Sequence, residues 1–327
     1  MVKYLIIRFS SIGDIVLTTP VIRCLKQQVP EAEVHFLTKK AFQNVLSENP
    51  FIDKVFAFDK SLSDIMPALK AENYDYIIDL HNNLRTAIVK TQIGAISFTV
   101  DKLNFKKWLL INFKINLLPN KHIVDRYLDT VKVFDVVNDN KGLDFFYNVQ
   151  DEFNRDDLPD SHKNGYVAFI IGAKHNTKKL PLEKIVSIIK KMKLPVILIG
   201  GKEDINDGNW IFNKCGKICL DYSGKFRLGQ SASIVKQAKV VITHDTGLMH
   251  IAAAFHKKII SVWGNTIPDF GMYPYLIEDS KIVEVNNLKC RPCSKIGYSA
   301  CPQKHFKCMN MIDENLILKY ALELFKN

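Results

Sequence analysis

Runs of apolar residues recur along this chain at short, regular intervals, each followed by a polar turn and a helix-length amphipathic stretch. Tyr4-Leu5-Ile6-Ile7 opens the series, and Val34-His35-Phe36-Leu37, Val55-Phe56-Ala57-Phe58 and Tyr76-Ile77-Ile78-Asp79-Leu80 continue it. A strand that is apolar at nearly every position leaves no face for water, so it belongs in a sheet covered on both sides. Amphipathic stretches over 15–28, 41–48 and 65–72 supply that cover, the first stopped by Pro30. The rhythm lapses over 102–122, a helix over 124–134 follows, and the Asp- and Asn-rich segment 138–164 reads as a linker. Alternation then restarts with Tyr166-Val167-Ala168-Phe169-Ile170-Ile171, a loop over 172–179, a helix over 182–192 and the strand Pro195-Val196-Ile197-Leu198-Ile199. Helix 232–237, strand Val240-Val241-Ile242, helix 249–255 and strand Ile259-Ile260-Ser261-Val262 complete it. The sequence therefore predicts an α/β protein of two domains, 1–155 and 156–327, each a parallel sheet clad in helices. Ligands of such sheets bind beyond the carboxyl ends of the strands, which makes a cleft between the domains the expected site.

A length of 327 residues suits two cores rather than one. No apolar stretch approaches the roughly 18 residues of a spanning helix, and the first apolar run is too short for a signal peptide, so the expected location is the cytoplasm. Lys plus Arg number 45 against 34 Asp plus Glu, a net +11 that favours anionic partners: nucleic acid, anionic lipid or phosphorylated small molecules. The surplus is uneven, 20 basic to 18 acidic residues over 1–155 but 25 to 16 over 156–327. Seven cysteines, an odd number, argue against a disulfide framework in a reducing compartment.

Several strand-to-helix turns carry chemistry. Ser10-Ser11-Ile12-Gly13-Asp14 follows the first strand; Gly13 permits close backbone approach and Asp14 offers a carboxylate that can take a proton from a hydroxyl. The commonest duty of such an Asp is to cap its own helix. His244-Asp245-Thr246-Gly247-Leu248-Met249-His250 opens a later helix with amides, a hydroxyl and a dipole suited to a phosphate, and His250 in the first turn can reach the same anion. No G-x-S-x-G elbow or G-x-G-x-x-G fingerprint accompanies these turns. The loop Gly172-Ala173-Lys174-His175-Asn176-Thr177-Lys178-Lys179-Leu180-Pro181 adds three lysines. Cys290, Cys293, Cys301 and Cys308 fall within 19 residues, a spacing compatible with a closed structural zinc or with packed thiols. Finally, Lys102 to Lys114 mixes lysines with bulky apolar residues, as expected of a segment resting on an anionic membrane or of a helix packed on the sheet.

Taken together, these stretches resemble glycosyltransferase family 9, the ADP-heptose:lipopolysaccharide heptosyltransferases. The resemblance is carried by Arg8-Phe9-Ser10-Ser11-Ile12-Gly13-Asp14, Thr19-Pro20, Asp79-Leu80-His81-Asn82-Asn83-Leu84-Arg85, Thr177-Lys178-Lys179-Leu180-Pro181 and, most specifically, Asp245-Thr246-Gly247-Leu248-Met249-His250-Ile251-Ala252-Ala253-Ala254. It implies a GT-B architecture of two Rossmann-like domains, with the acceptor on the first and the nucleotide-sugar on the second, and a last helix that returns to brace the first. It implies an inverting, metal-independent transfer of a heptose or related sugar from an ADP-sugar to a lipopolysaccharide core acceptor, by a monomer and without nucleic acid. Asp14 would be the general base and Lys178 would neutralise the leaving diphosphate. Gly13, Lys174, Asp245, Thr246, Gly247, Leu248 and His250 would hold the nucleotide-sugar, and Ser10 and Arg85 the anionic glycolipid acceptor, met at the inner leaflet of the membrane. No cofactor is implied for the chemistry. Two positions depart from the family pattern: Leu180 stands where Trp is usual, and His244 where a small or amide residue is usual. A GT-B nucleotide-sugar epimerase or hydrolase and a non-catalytic nucleotide-sugar-binding protein are the competing readings.

Overall fold

The computed structural model describes residues 1–326, which divide into two compact units. The first comprises Met1–Asn104 and Lys121–Tyr147, the second Phe105–Asn120 and Asn148–Asn327.

In the first unit, strands β1 (Val2–Ile7), β2 (Ala32–Lys39), β3 (Lys54–Phe58), β4 (Tyr76–Asp79) and β5 (Ile96–Thr99) pair in the order β3-β2-β1-β4-β5, all parallel. Leu5, Ile6 and Ile7 are fully buried, as a central strand covered on both faces requires. The helix expected over 15–28 is two helices, α1 (Ile12–Val16) and α2 (Thr19–Gln28). Pro20 sits in the first turn of α2, where its missing N–H costs nothing, and the Thr18 and Thr19 hydroxyls donate to the carbonyls of Ile15 and Val16 at the break. The 41–48 stretch forms a 3-10 helix over Lys40–Val45 instead of an α-helix. Helices α3 (Met66–Ala71), α4 (Leu84–Ile93) and α6 (Ile123–Leu128) follow in this unit, while α5 (Asn104–Phe113) belongs, from Phe105 on, to the second. The sequence reading missed α4 and β5, although α4 carries ordinary end signals: the Asn83 side chain accepts from the Thr86 amide, and Gly94 closes the helix at φ 77°.

The second unit opens with α7 (Asp160–Lys163). Strands β6 (Val167–Ile170), β7 (Val196–Ile199), β8 (Cys219–Asp221), β9 (Val240–His244), β10 (Lys258–Trp263) and β11 (Ser280–Glu284) pair in the order β11-β10-β9-β6-β7-β8, again all parallel. Helices α8 (Leu182–Met192), α9 (Ile205–Cys215), α10 (Leu228–Gln237), α11 (Gly247–Ala254), α12 (Lys307–Asn310) and α13 (Glu314–Lys326) complete the unit. No helix among the described residues is long and apolar enough to cross a membrane.

Two features of the predicted organisation need correction. The second unit begins at Asn148, earlier than the expected boundary after 155. Residues just beyond Asn148 are already tied to α10: the Phe153 amide donates to Ser233 Oγ, and Gln237 Nε2 donates to the Phe153 carbonyl. Residues 105–120 belong to the second unit, where Asn116 reaches Asp269 and Lys114 reaches the Pro292 carbonyl. The last helix, α13, packs within the second unit. Its stripe of Ile317, Ala321 and Leu324 joins the apolar core of the second unit against α8 and β9–β11, while Glu314 receives Ser187 Oγ and Lys184 Nζ from α8. Ile317→Ala is therefore expected to lower stability by about 2–5 kcal/mol. Leu322→Ala, on the exposed side, should stay within about 0.5 kcal/mol, both read by denaturant unfolding.

Candidate active site

At the end of β1 the chain passes through Arg8 into α1. The Arg8 guanidinium is buried, yet every side of it is answered: Nε donates to the Ser10 carbonyl at 2.8 Å, Nη1 to the Leu80 carbonyl at 2.6 Å, and Nη2 lies 2.6 Å from Asp14 Oδ1. Asp14 Oδ2 accepts from the amide and hydroxyl of Ser11 at 3.1 and 2.8 Å. Asp14 thus does cap its own helix, and the same contacts fix both of its oxygens at the carboxyl edge of the first sheet. Gly13 lies buried inside α1, its carbonyl accepting from the Leu17 amide. Beside this turn, a cavity of about 340 Å³ is lined by Phe9, Ser10, Lys39, His81, Asn83, Leu84 and Arg85. The lining holds two permanent cations and no carboxylate. Burial, with the charges of Arg8 and Lys102, pushes His81 down to about 4, so it is neutral at pH 7. Ser10 and Arg85, the acceptor residues the resemblance implies, both line this cavity; Lys39, distant from them in sequence, joins them through the pairing of β1 with β2.

In the second unit, the turns after β6, β9 and β10 converge. Lys178 Nζ lies 2.5 Å from Asp245 Oδ2 and 3.3 Å from the Asp245 carbonyl. The Thr266 hydroxyl, from the turn after β10, donates to the same Oδ2 at 3.0 Å. Thr266 escaped the sequence reading, since nothing local marks it. Asp245 leads into Thr246 at the start of α11, whose first amides, at Gly247 and Leu248, have no acceptor within the helix. The Thr246 hydroxyl is buried and has no hydrogen-bond partner. A lysine, a hydroxyl and a helix start are thereby gathered at one place, the donor set of an anion site. His250 is buried in the first turn of α11. Lys174 is exposed and stands apart, and Lys179 turns to Asp204, 2.5 Å away, to anchor the loop.

The two departures from the family pattern touch each other. His244 Nε2 accepts from the Leu180 amide at 2.9 Å, so the histidine pins the lysine loop to the end of β9. Burial, helped by the nearby Lys179 charge, holds His244 down to about 3.

The cysteine-rich segment has a structural task that its thiols do not announce. Arg291 donates through Nε to the Gly264 carbonyl at 2.6 Å and through Nη2 to the Thr266 carbonyl at 2.8 Å, and it pairs with Glu284. The Tyr298 amide donates to Thr177 Oγ1 at 2.8 Å, and the Thr177 amide donates back to the Tyr298 carbonyl at 3.2 Å. One segment thus holds the two turns that place Lys178 and Thr266. The four cysteines lie near one another: burial, with the charges of the other cysteines, pushes Cys293 up and Cys308 up to about 11. Among the described residues, the one group of three or more His, Cys, Asp or Glu side chains whose ligand atoms all lie within 4.8 Å of one another is Glu33, His35 and Glu72. Cys308 also joins the apolar core, and Cys290 faces His305 at 3.8 Å. The Glu33 group does not fit a cation, because Lys3 and Lys54 already occupy Glu72 at 3.0 and 2.5 Å.

Two outcomes follow from this geometry. The unfolded chain protonates its histidines near 6.5 while folded His244 and His81 resist until about 3 and 4, so stability is present above pH 6.5 and falls as the pH drops through that window. The slope from each group is at most about 1.4 kcal/mol per pH unit. His244→Ala should remove its share of that slope and cost about 1–3 kcal/mol at pH 7, where the Leu180 amide is left buried and unanswered, measured by unfolding across pH. Arg291→Lys keeps the charge but not the fork that grips the turn carbonyls, and is expected to lower stability by about 1–3 kcal/mol in denaturant unfolding.

Residues 63–303 match the family model described as glycosyltransferase family 9 (heptosyltransferase). A curated relative, lipopolysaccharide heptosyltransferase 1 of Campylobacter coli, is 26% identical over 99% of each chain. The crystal structure of a family 9 glycosyl transferase from Veillonella parvula aligns with a TM-score of 0.82 at 20% identity, over 99% of this chain and 97% of that one. The Escherichia coli heptosyltransferase WaaC, solved with ADP-2-deoxy-2-fluoro heptose, gives a TM-score of 0.70 at 19% identity, over 98% and 99%. The fold of these neighbours is GT-B, and the two parallel α/β units found here reproduce it. The chain belongs to glycosyltransferase family 9, the heptosyltransferases.

Proposed function

We propose that this protein is an inverting glycosyltransferase that moves a heptose from ADP-heptose to a hydroxyl of an anionic lipopolysaccharide core acceptor. The observation that carries this reading is the Lys178–Asp245–Thr266 cluster at the start of α11 beside the unpartnered Thr246 hydroxyl. That donor set suits a diphosphate, and the C. coli relative is named for the corresponding transfer.

In the proposed reaction the acceptor hydroxyl gives its proton to Asp14, its oxygen bonds to the anomeric carbon, and the bond from that carbon to the β-phosphate oxygen breaks, its electron pair leaving with ADP. Charge grows on the departing diphosphate, where Lys178, Thr246 and the amides of Gly247 and Leu248 supply the stabilisation without a metal. Asp245 orients Lys178 and, with His250, holds the donor. Gly13 keeps the turn tight around Asp14, and Lys174 adds positive charge at the rim of the lysine loop. Ser10 and Arg85, joined by Lys39 in the first-unit cavity, take the anionic acceptor. The chain works as a monomer at the cytoplasmic face of the inner membrane, and its positive charge serves donor and acceptor rather than nucleic acid.

The test is ADP release from ADP-heptose with and without a Kdo-lipid A acceptor. Acceptor-dependent release is expected, falling about 10²–10⁴-fold in Asp14→Asn, which can still cap α1. Lys178→Met with Asp245→Asn, a pair that leaves no unpaired charge, should lower kcat by about 10²–10³-fold. Release without acceptor would replace the reading with an epimerase or hydrolase, and tight ADP binding with no release would replace it with a binding protein.

A further inference from the structure

The proposed acceptor is a glycolipid, and the following inference deepens that reading by naming the surface that meets the lipid. Residues 105–120 expose an unusual amount of apolar side chain: Phe105 is 70% exposed, Trp108 50%, Phe113 59%, Ile115 50% and Leu117 53%. A helix packed on the sheet through its apolar side, one of the two forms the sequence allowed, is not what forms, since Leu110 alone is buried in α5. The rings are assembled with one another on the outside of the protein. Phe105 and Trp108 stack with centroids 6.1 Å apart, and Trp108 meets Phe113 edge-on at 5.3 Å.

Charge accompanies the rings. Residues 105–120 hold three lysines, Lys106, Lys107 and Lys114, and no Asp or Glu. The segment is also held in place, by Lys114 Nζ donating to the Pro292 carbonyl at 2.7 Å, by Asn116 Nδ2 donating to Asp269 at 3.1 Å, and by Lys107 Nζ lying 5.6 Å from the Phe270 ring. Clustered aromatic surface left in water is unfavourable, whereas rings of this kind are stable at the boundary between headgroups and acyl chains. Lysines beside them add attraction to lipid phosphates. A neutral apolar partner would satisfy the rings but not the lysines that flank them.

We propose that residues 105–117 are a docking surface for an anionic lipid bilayer, with Phe105, Trp108 and Phe113 entering the headgroup boundary and Lys106 and Lys107 facing lipid phosphates. Co-sedimentation with vesicles of phosphatidylethanolamine carrying about one-third phosphatidylglycerol tests it on the full chain. Binding is expected, with much weaker binding to phosphatidylcholine vesicles and release by salt. Trp108→Glu with Phe113→Glu should weaken binding by about tenfold or more. Lys106→Gln with Lys107→Gln should weaken it by about fivefold per lysine. Both double variants are expected to keep wild-type turnover on a water-soluble, de-acylated acceptor. Absence of wild-type binding, or binding unchanged in both variants, overturns the proposal. So does a dimer in sedimentation velocity that dissociates in Trp108→Glu with Phe113→Glu while no vesicles are bound, which would assign the patch to a second copy. Vesicle binding is measured with neither donor nor acceptor present, so its failure is distinct from failure of the transfer reaction.

Discussion

Parallel strand pairing is the constraint on which the remaining structure depends. Every strand pair in both units is parallel, so every strand of a sheet ends at the same edge. Each strand-to-helix turn must then fall at that edge, and turns far apart in sequence become neighbours without any sequence signal of their own. In the second unit this brings together Lys178, Asp245 and Thr266, from three separate turns. In the first it brings Ser10 and Arg8 beside His81 and Arg85. The functional residues are neighbours because the cores of the two sheets, apolar on both faces, leave the backbone no other economical arrangement.

Charge is the second organising element. Three buried or half-buried cations are matched at short range: Arg8 by Asp14 and two carbonyls, Lys179 by Asp204, Arg291 by Glu284 and carbonyls of the β10 turn. A buried charge without such partners would be costly, and pairing also fixes where each side chain points. Lys178 is matched by Asp245 in the same way, but Asp245 leads into the start of α11, where the Thr246 hydroxyl is buried without a hydrogen-bond partner.

The alternation of strands and helices, the two-unit architecture and the turns carrying Asp14, Lys178 and Asp245 were all legible in one dimension, because each depends on a local pattern. Helices α4 and α9 and strands β5, β8 and β11 were not: their burial is partial and their apolar spacing weak, so their form depends on neighbours. The cysteine segment held more than its thiols announced: the fold uses Arg291 and Tyr298 of that segment to hold the turns that carry Thr266 and Lys178. The final helix shows the same limit, since an amphipathic stripe declares that it will be buried but not against which partner.

What the sequence alone determined is therefore everything set by periodicity and by neighbours along the chain: the α/β class, the inner strands of both sheets, and the residue types at each turn. Tertiary structure alone decided which turns meet. It paired His244 with the Leu180 amide, so that two separate departures from the family pattern became one contact. It gave Thr266 its place on Asp245 and moved residues 105–120 into the second unit with their rings facing outward. The physical reason is the same in each case: a hydrogen bond or a buried face has a partner selected by position in three dimensions, and only the packed sheet fixes that position.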